Sequence, residues 1–338
     1  MKIVVRGANW IGDAVMTIPA LRLLRRIFPD ASISLHTRAW AEGLFRDADF
    51  ITDIIPLDGR GSLSSVIEQS RSLRERNFDL AILFPNSFES ALVARLARIP
   101  KRLGYSTEQR GFLLTDRVPV PSWKNEVHES KYYLNLIASL GGEGGDEHPE
   151  LQVSRKRRSD ARKKMAEYGV EEGSLVVGMG AGSTNSLAKR WPAENFSALA
   201  DLLTVRHNAN VVLFGSKDES HVSRSVLEGS SEVHRDLTGQ TDLATATAIL
   251  SELDLFVSND MGLAHVAAAV VTPTIVIFCP TNENTTRPLG PNVQILREPV
   301  ECSPCMLREC PIDHRCMTRI SPERVFESAS KILETQGT

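Results

Sequence analysis

Apolar and polar positions along the 338-residue chain follow two alternating periods. KIVVRG at 2–7 is a short apolar run closed by glycine, and GDAVMTIPALRLLRRIF at 12–28 carries apolar side chains at helical spacing. ASISLHTR then alternates as a strand, AWAEGLFRDA reads as helix, and ITDIIPL as strand. SSVIEQSRSLRERN is helical, DLAILFP is a buried strand, SFESALVARLARI a helix and KRLGYS a further strand. The alternation restarts at SLVVGMG. It continues through helix PAENFSALADLLTVR, strand NVVLFG, helices KDESHVSRSVLEG and TDLATATAILSEL, strand LDLFVSN and strand TPTIVIF. PERVFESASKILETQ is the last helix. Repeated strand–helix–strand units imply parallel sheets covered on both faces.

Between the two series, GEGGDEHPE is glycine-rich and acidic, and SRKRRSDARKK is basic and reads as a solvated helix face. The shift divides the chain into two doubly wound α/β domains, 1–155 and 156–320. A helix at 321–338 is expected to pack back on the first domain. Ligands are expected at the carboxyl ends of the strands, in a cleft between the domains. A hydrophobic share of 42% and a charged share of 24% suit an ordinary globular chain, and a net charge of −3 argues against wholesale nucleic-acid binding. The longest apolar runs are strand-sized, well short of the roughly 20 residues that span a bilayer. The first residues enter a strand with no secretory pattern, so a soluble, cytoplasmic protein is expected. Four of the five cysteines, Cys302, Cys305, Cys310 and Cys316, crowd around His314. Thiolates this close can bind zinc or stay reduced, and no second separated C-x-x-C pair favours the metal.

Three stretches carry candidate chemistry. VSNDMGLAHVAAAV at 257–270 brings Asn259 and Asp260 to a strand end and Gly262 to a helix start. Unpaired N–H groups there suit a diphosphate, and a glycine admits it without a Cβ in the way. Asp260 and His265 can then orient a sugar or nucleotide hydroxyl. The bland alternative is an N-cap, a turn glycine and a satisfied core histidine. MGAGSTNSLAKRWP supplies small residues Gly180 to Thr184 and a movable charge on Lys189, at a spacing that is not a Walker motif. RGANWIGDAVMTIPAL has Gly7 and Gly12 five apart, so it lacks GxGxxG and speaks against a nicotinamide oxidoreductase. It places Asp13 in a first helical turn, where a carboxylate, ionised at neutral pH, can accept a proton from an attacking hydroxyl or simply suit the helix dipole.

The order of GANWIGDAVMTIPALRLLR, FPNSFESAL, AGSTNSLAKRWPAENF, LTGQTDLATATAIL, SNDMGLAHVAAAVVTPTIVIF and CSPCMLRECPIDHRCM resembles the ADP-heptose:lipopolysaccharide heptosyltransferases of glycosyltransferase family 9 nearly end to end. The resemblance implies the GT-B fold, two Rossmann-like domains facing a central cleft. Trp10, the PNSF segment and the cysteine-rich tail look most like members adding the second inner-core heptose. Members acting on other core acceptors, and a non-catalytic nucleotide-sugar binder, are the alternatives.

By position, the resemblance implies Asp13 as catalytic base and Lys189 as a contact to the donor diphosphate. Ser183, Thr184, Asp260, Gly262 and His265 are further donor residues. Met261 stands where the family usually has a hydroxyl residue, leaving only its backbone to help. Asp218 or Glu219 is the acidic contact to the nucleotide, with Glu219 the site choice. Acceptor candidates are Arg6, Trp10, Asn86 and Arg102, with Arg95, Arg98, Lys101 and Arg110 as further cations for an anionic glycolipid. SWKNEVHESKYY is a candidate for docking near the lipid surface. The implied partners are ADP-heptose and a lipid A–Kdo–heptose acceptor. No nucleic acid, cofactor or metal is expected, since no DxD pair is placed for one. The implied location is the cytoplasmic face of the inner membrane, as a peripheral monomer.

Overall fold

A computed structural model describes residues 1–57, 62–142, 144–145 and 148–336. Two compact units result, Met1–Pro149 and Glu150–Thr338. The division falls a few residues before the composition shift implied, and Glu143, Asp146 and Glu147 of the acidic stretch lie outside the described residues. The basic run forms the helix Arg155–Glu167, which buries only Ala161 and Met165, so it is the solvated face expected.

The first unit contains β1 (Lys2–Arg6), β2 (Ser32–Thr37), β3 (Asp53–Pro56), β4 (Leu80–Leu83), β5 (Lys101–Tyr105) and β6 (Asp116–Val118), ordered β3-β2-β1-β4-β5-β6. Every pairing is parallel. The second unit contains β7 (Val176–Gly180), β8 (Asn210–Leu213), β9 (Arg235–Asp236), β10 (Leu255–Asn259), β11 (Thr274–Ile277) and β12 (Val293–Leu296), ordered β12-β11-β10-β7-β8-β9 and again all parallel. In both, the chain winds outward from the first strand and then returns to its other side. The order therefore reverses between β1 and β4, and between β7 and β10. A crevice opens outside the carboxyl ends at such a reversal, where doubly wound sheets bind ligands.

Central strands β4, β7, β10 and β11 are buried throughout, which explains their continuous apolar runs. The first expected helix is broken. Ile11–Met16 and Ile18–Ile27 are separate, because Pro19 has no N–H for the continuing ladder. Thr17 closes the first piece by donating its hydroxyl to the Ala14 carbonyl at 2.7 Å.

One expectation is corrected. The C-terminal helix Pro322–Gln336 packs in the second unit: Val325, Ala329 and Leu333 join its core with Val177, Phe196, Leu199 and Val257. The Trp191 indole N–H fastens the approach to this helix, donating to the Ile320 carbonyl at 2.8 Å. Among the described residues no helix is long and apolar enough to cross a membrane.

Candidate active site

In the second unit, two of the predicted stretches meet at the reversal between β7 and β10. Asn259, fully buried at the end of β10, donates its amide to the Ala181 carbonyl at 2.7 Å and the Gly182 carbonyl at 3.3 Å. Its amide oxygen accepts from the Trp191 backbone N–H at 2.9 Å. One side chain thereby fixes the 180–184 loop and the chain just past Lys189. Asp260 follows. Its carboxylate takes the Lys189 ammonium at 2.6 Å and the Thr281 hydroxyl at 2.7 Å, and only 4% of its side chain is exposed against 23% for Lys189. A buried carboxylate thus holds a half-buried cation that keeps one side toward solvent.

The helix Gly262–Ala269 starts next, capped at Met261 with no side-chain hydrogen bond. The N-cap side chain thus offers the helix's first N–H groups no acceptor, and the positive end of the helix dipole lies there. Met261 Sδ sits where Gly180 leaves room, since a Cβ on that glycine would lie 2.6 Å from the sulfur. Ala264, Ala267, Ala268 and Ala269 are buried and allow close packing, and His265 is buried one turn in. On the other flank, Glu219 is buried and Asp218 exposed. Glu219 accepts from the Ser216 N–H and hydroxyl, both at 2.8 Å, and from the Thr184 hydroxyl at 3.3 Å. Ser183 is buried and Thr184 exposed. The Ser183 carbonyl accepts two bonds from the Arg190 guanidinium, at 3.3 and 3.2 Å.

In the first unit, Asp13 occupies the first turn of Ile11–Met16, behind an N-cap, Trp10, that is about half exposed (51%) and gives no side-chain bond. Burial, followed by the charges of Asp13 and Glu129, holds the Tyr133 phenol well above its ordinary pKa. Asn86, past β4, donates to the Tyr132 hydroxyl at 3.0 Å and accepts from Arg110 at 3.2 Å. Asp13 and Asn86 therefore follow the two strands of this sheet's own reversal.

A family model, glycosyltransferase family 9 (heptosyltransferase), matches residues 66–315. The chain belongs to glycosyltransferase family 9. It is 30% identical to lipopolysaccharide heptosyltransferase 2 of Salmonella typhimurium over the whole of both chains. It is also 30% identical to the Escherichia coli K12 protein of that name, covering 98% of this chain and 99% of the relative. The solved structure of E. coli ADP-heptose lipopolysaccharide heptosyltransferase II superposes over the full length of both chains, with a TM-score of 0.87 and 28% identity. The two doubly wound parallel units are thus those of the expected GT-B fold class.

The family's elements are not all where sequence reasoning put them. The candidates Ser183, Thr184, Lys189, Glu219, Asp260, Met261, Gly262 and His265 all lie on β7, β8 or β10 carboxyl-end segments of one sheet. Met261 packs its sulfur against Gly180. The cations of the first unit separate. Arg6 stays near the β1 end, donating to the Gly7 and His36 carbonyls at 3.4 and 3.3 Å. Arg102 is a correction. It lies near the amino end of β5, buried, with its guanidinium on the carbonyls of Leu113 (2.7 Å), Ile99 and Pro100 (3.3 Å). Arg95, Arg98 and Lys101 share that far end of the sheet, away from Asp13. Arg110 is fully buried, its pKa lowered to about 10 by that burial, and holds the Pro85–Ser90 loop through Pro85, Asn86, Ser87 and Ser90. It shapes the loop that carries Asn86.

SWKNEVHESKYY is exposed at Ser122, Asn125, Glu126 and Lys131 and buried at His128, Ser130 and Tyr132. It leads into the helix Glu129–Ala138, where Tyr132 is buried and stacks on Tyr105 at 4.0 Å between ring centroids. All five cysteines are free, and together they line one small cavity with His314 and Ala188. Burial pushes the Cys316 thiol up. Among the described residues no three His, Cys, Asp or Glu side chains converge as a metal site. Sequence reasoning placed Asn259 at the strand end without its clamp on the 180–184 loop, and missed the Thr281 bond to Asp260, the Arg190 clip and Tyr133. Thr281 was open to a simple rule, since it follows a central strand at the carboxyl edge.

Proposed function

We propose that this chain is an inverting heptosyltransferase. It moves heptose from ADP-L-glycero-D-manno-heptose to the first heptose of the lipopolysaccharide inner core. The sugar and acceptor class are supported by the relatives described above. The observation that carries the chemistry is the Lys189–Asp260 pair beside an uncapped helix start at a sheet reversal. In this reading Asp13 removes the proton from an acceptor hydroxyl as its oxygen attacks the anomeric carbon opposite the leaving ADP. Negative charge grows on the diphosphate. Lys189, the N–H and hydroxyl groups of 180–184 and the helix start at Gly262 stabilise it by electrostatics set before reaction. Glu219, Asp260 and His265 orient the nucleotide and sugar, while Arg6, Trp10 and Asn86 face the acceptor. The enzyme works as a monomer at the cytoplasmic face of the inner membrane, in peripheral contact with it.

The test is a transfer assay paired with calorimetry. Asp13→Asn is expected to bind ADP within about twofold of the parent while transfer falls by at least about 100-fold, the usual scale for a lost general base. Lys189→Ala is expected to lower turnover by about 100-fold. An Asp13→Asn enzyme keeping more than a tenth of parental turnover would falsify the general-base assignment. Transfer by the parent to a core already carrying two heptoses, and not to one carrying a single heptose, would overturn the acceptor.

A further inference from the structure

The cysteine-rich segment closes on the turn that carries Lys189. Ala188, in the 3-10 turn Leu187–Lys189, donates its N–H to the Arg308 carbonyl at 3.0 Å. The Ser186 hydroxyl bonds the same carbonyl at 3.1 Å. From the other side, His314 Nε2 lies 2.8 Å from the Ala188 carbonyl oxygen. A carbonyl only accepts, so Nε2 carries the proton in this contact. His314 itself has φ 56° and ψ 26°, the left-handed region, which is costly for a residue other than glycine and persists where surroundings impose it. Its N–H meets Cys310 Sγ at 3.3 Å, fixing the ring's approach. A strained residue, anchored at its own backbone, thus points its imidazole at the residue before Lys189.

We propose that His314 is a positioning residue for donor binding. By holding the Ala188 carbonyl it sets the turn from which the Lys189 ammonium meets the donor diphosphate. This rests on the reading of Lys189 given above. It assigns a task to part of the cysteine-rich segment that needs no metal and no change in the thiols.

The test uses the full chain with His314→Gly, which suits left-handed backbone and removes the ring. His314→Asn also tolerates that backbone but is too short to reach, and it keeps the test readable where glycine loosens the turn. Each is made alone and with Lys189→Ala, and ADP affinity and steady-state kinetics are measured. With Lys189 present, each His314 variant should weaken ADP binding by about 3- to 10-fold, the scale of one lost hydrogen bond, and raise the donor KM without moving the acceptor KM. In the Lys189→Ala background the same substitution should change ADP affinity by less than about twofold, because contacts that act through one group are not additive. Equal losses in both backgrounds would mean a general structural role and overturn the proposal, as would no loss with Lys189 present. If Lys189→Ala alone leaves ADP affinity intact, the donor role of Lys189 fails and this inference falls with it. If Lys189→Ala weakens binding and His314 variants do not, only the inference fails.

Discussion

His36 sits on β2 with 2% of its surface exposed, and burial, followed by the charges of Arg6 and Arg76, lowers its pKa to about 3 from 6.5. The unfolded chain then carries a proton on this ring between those values that the folded chain lacks. Stability from His36 is complete above pH 6.5 and is lost as pH falls toward 3, at about 1.4 kcal/mol per pH unit. His36 pairs with Arg6 in the sheet, so the charge that folding excludes would appear beside the loop leading to Asp13. His36→Gln should remove this dependence. Between pH 7.5 and 5 the parent is expected to lose about 2 kcal/mol more than the variant in denaturant unfolding. Parallel losses in the two proteins would rule His36 out as the source. The same scale shows what a sequence conceals. Arg102 and Arg110 look like acceptor cations in a list of charges, yet their guanidinium groups are taken up by backbone carbonyls and, for Arg110, the Asn86 and Ser90 side chains too. Which carbonyls lie within reach depends on how β5 and the loops around it fold, and no local pattern encodes that. The positions of Asp13, Lys189 and Asp260 past strand ends were legible because each follows a strand whose apolar run is unmistakable.

At the scale of elements, the central strands and the edge strand β3 were readable, and the other three edges were not. β6, β9 and β12 are half exposed, and DRV, RD and VQIL carry no continuous apolar run to announce them. Loop spacing between elements is set more tightly. A Cβ on Gly182 would fall 2.3 Å from Glu219 Oε1 and 2.4 Å from its Cδ. That carboxylate is buried and caps the turn at Ser216, so it has no free direction in which to retreat. Gly182→Ala should therefore destabilise the second unit by about 1–3 kcal/mol, the usual cost of overpacking, and weaken ADP binding together with it. Adding Glu219→Ala to the same chain should return part of the lost stability, because the clash partner is gone. Thermal unfolding of the three proteins decides this. A double variant no more stable than the sum of the two single effects would show that Glu219 is not what the methyl meets.

For the whole molecule, the two strand–helix series were legible from periodicity, and each becomes a doubly wound sheet with its own reversal. The destination of the last helix was not. Its amphipathic pattern shows that Val325, Ala329 and Leu333 need cover but says nothing about which surface supplies it. The core of the second unit does, so the residues proposed for the donor between β7 and β11 depend on a helix more than sixty residues after Asp260 in the chain. Ala329→Asp would place an unpaired carboxylate at a fully buried position, a change that a core of this kind cannot accommodate without opening. The expected outcome is loss of ADP binding together with exposure of Trp191, the second unit's one tryptophan, seen as a red shift of its fluorescence when Trp10, Trp40 and Trp123 are replaced by phenylalanine. In the parent carrying the same three replacements, ADP at about 100 times its Kd should instead raise stability by about 2.7 kcal/mol, and the transition reported by Trp191 is the one that should move. If Ala329→Asp leaves both the Trp191 emission and ADP affinity unchanged, the helix is dispensable to the second unit and its burial there has no bearing on the proposed site.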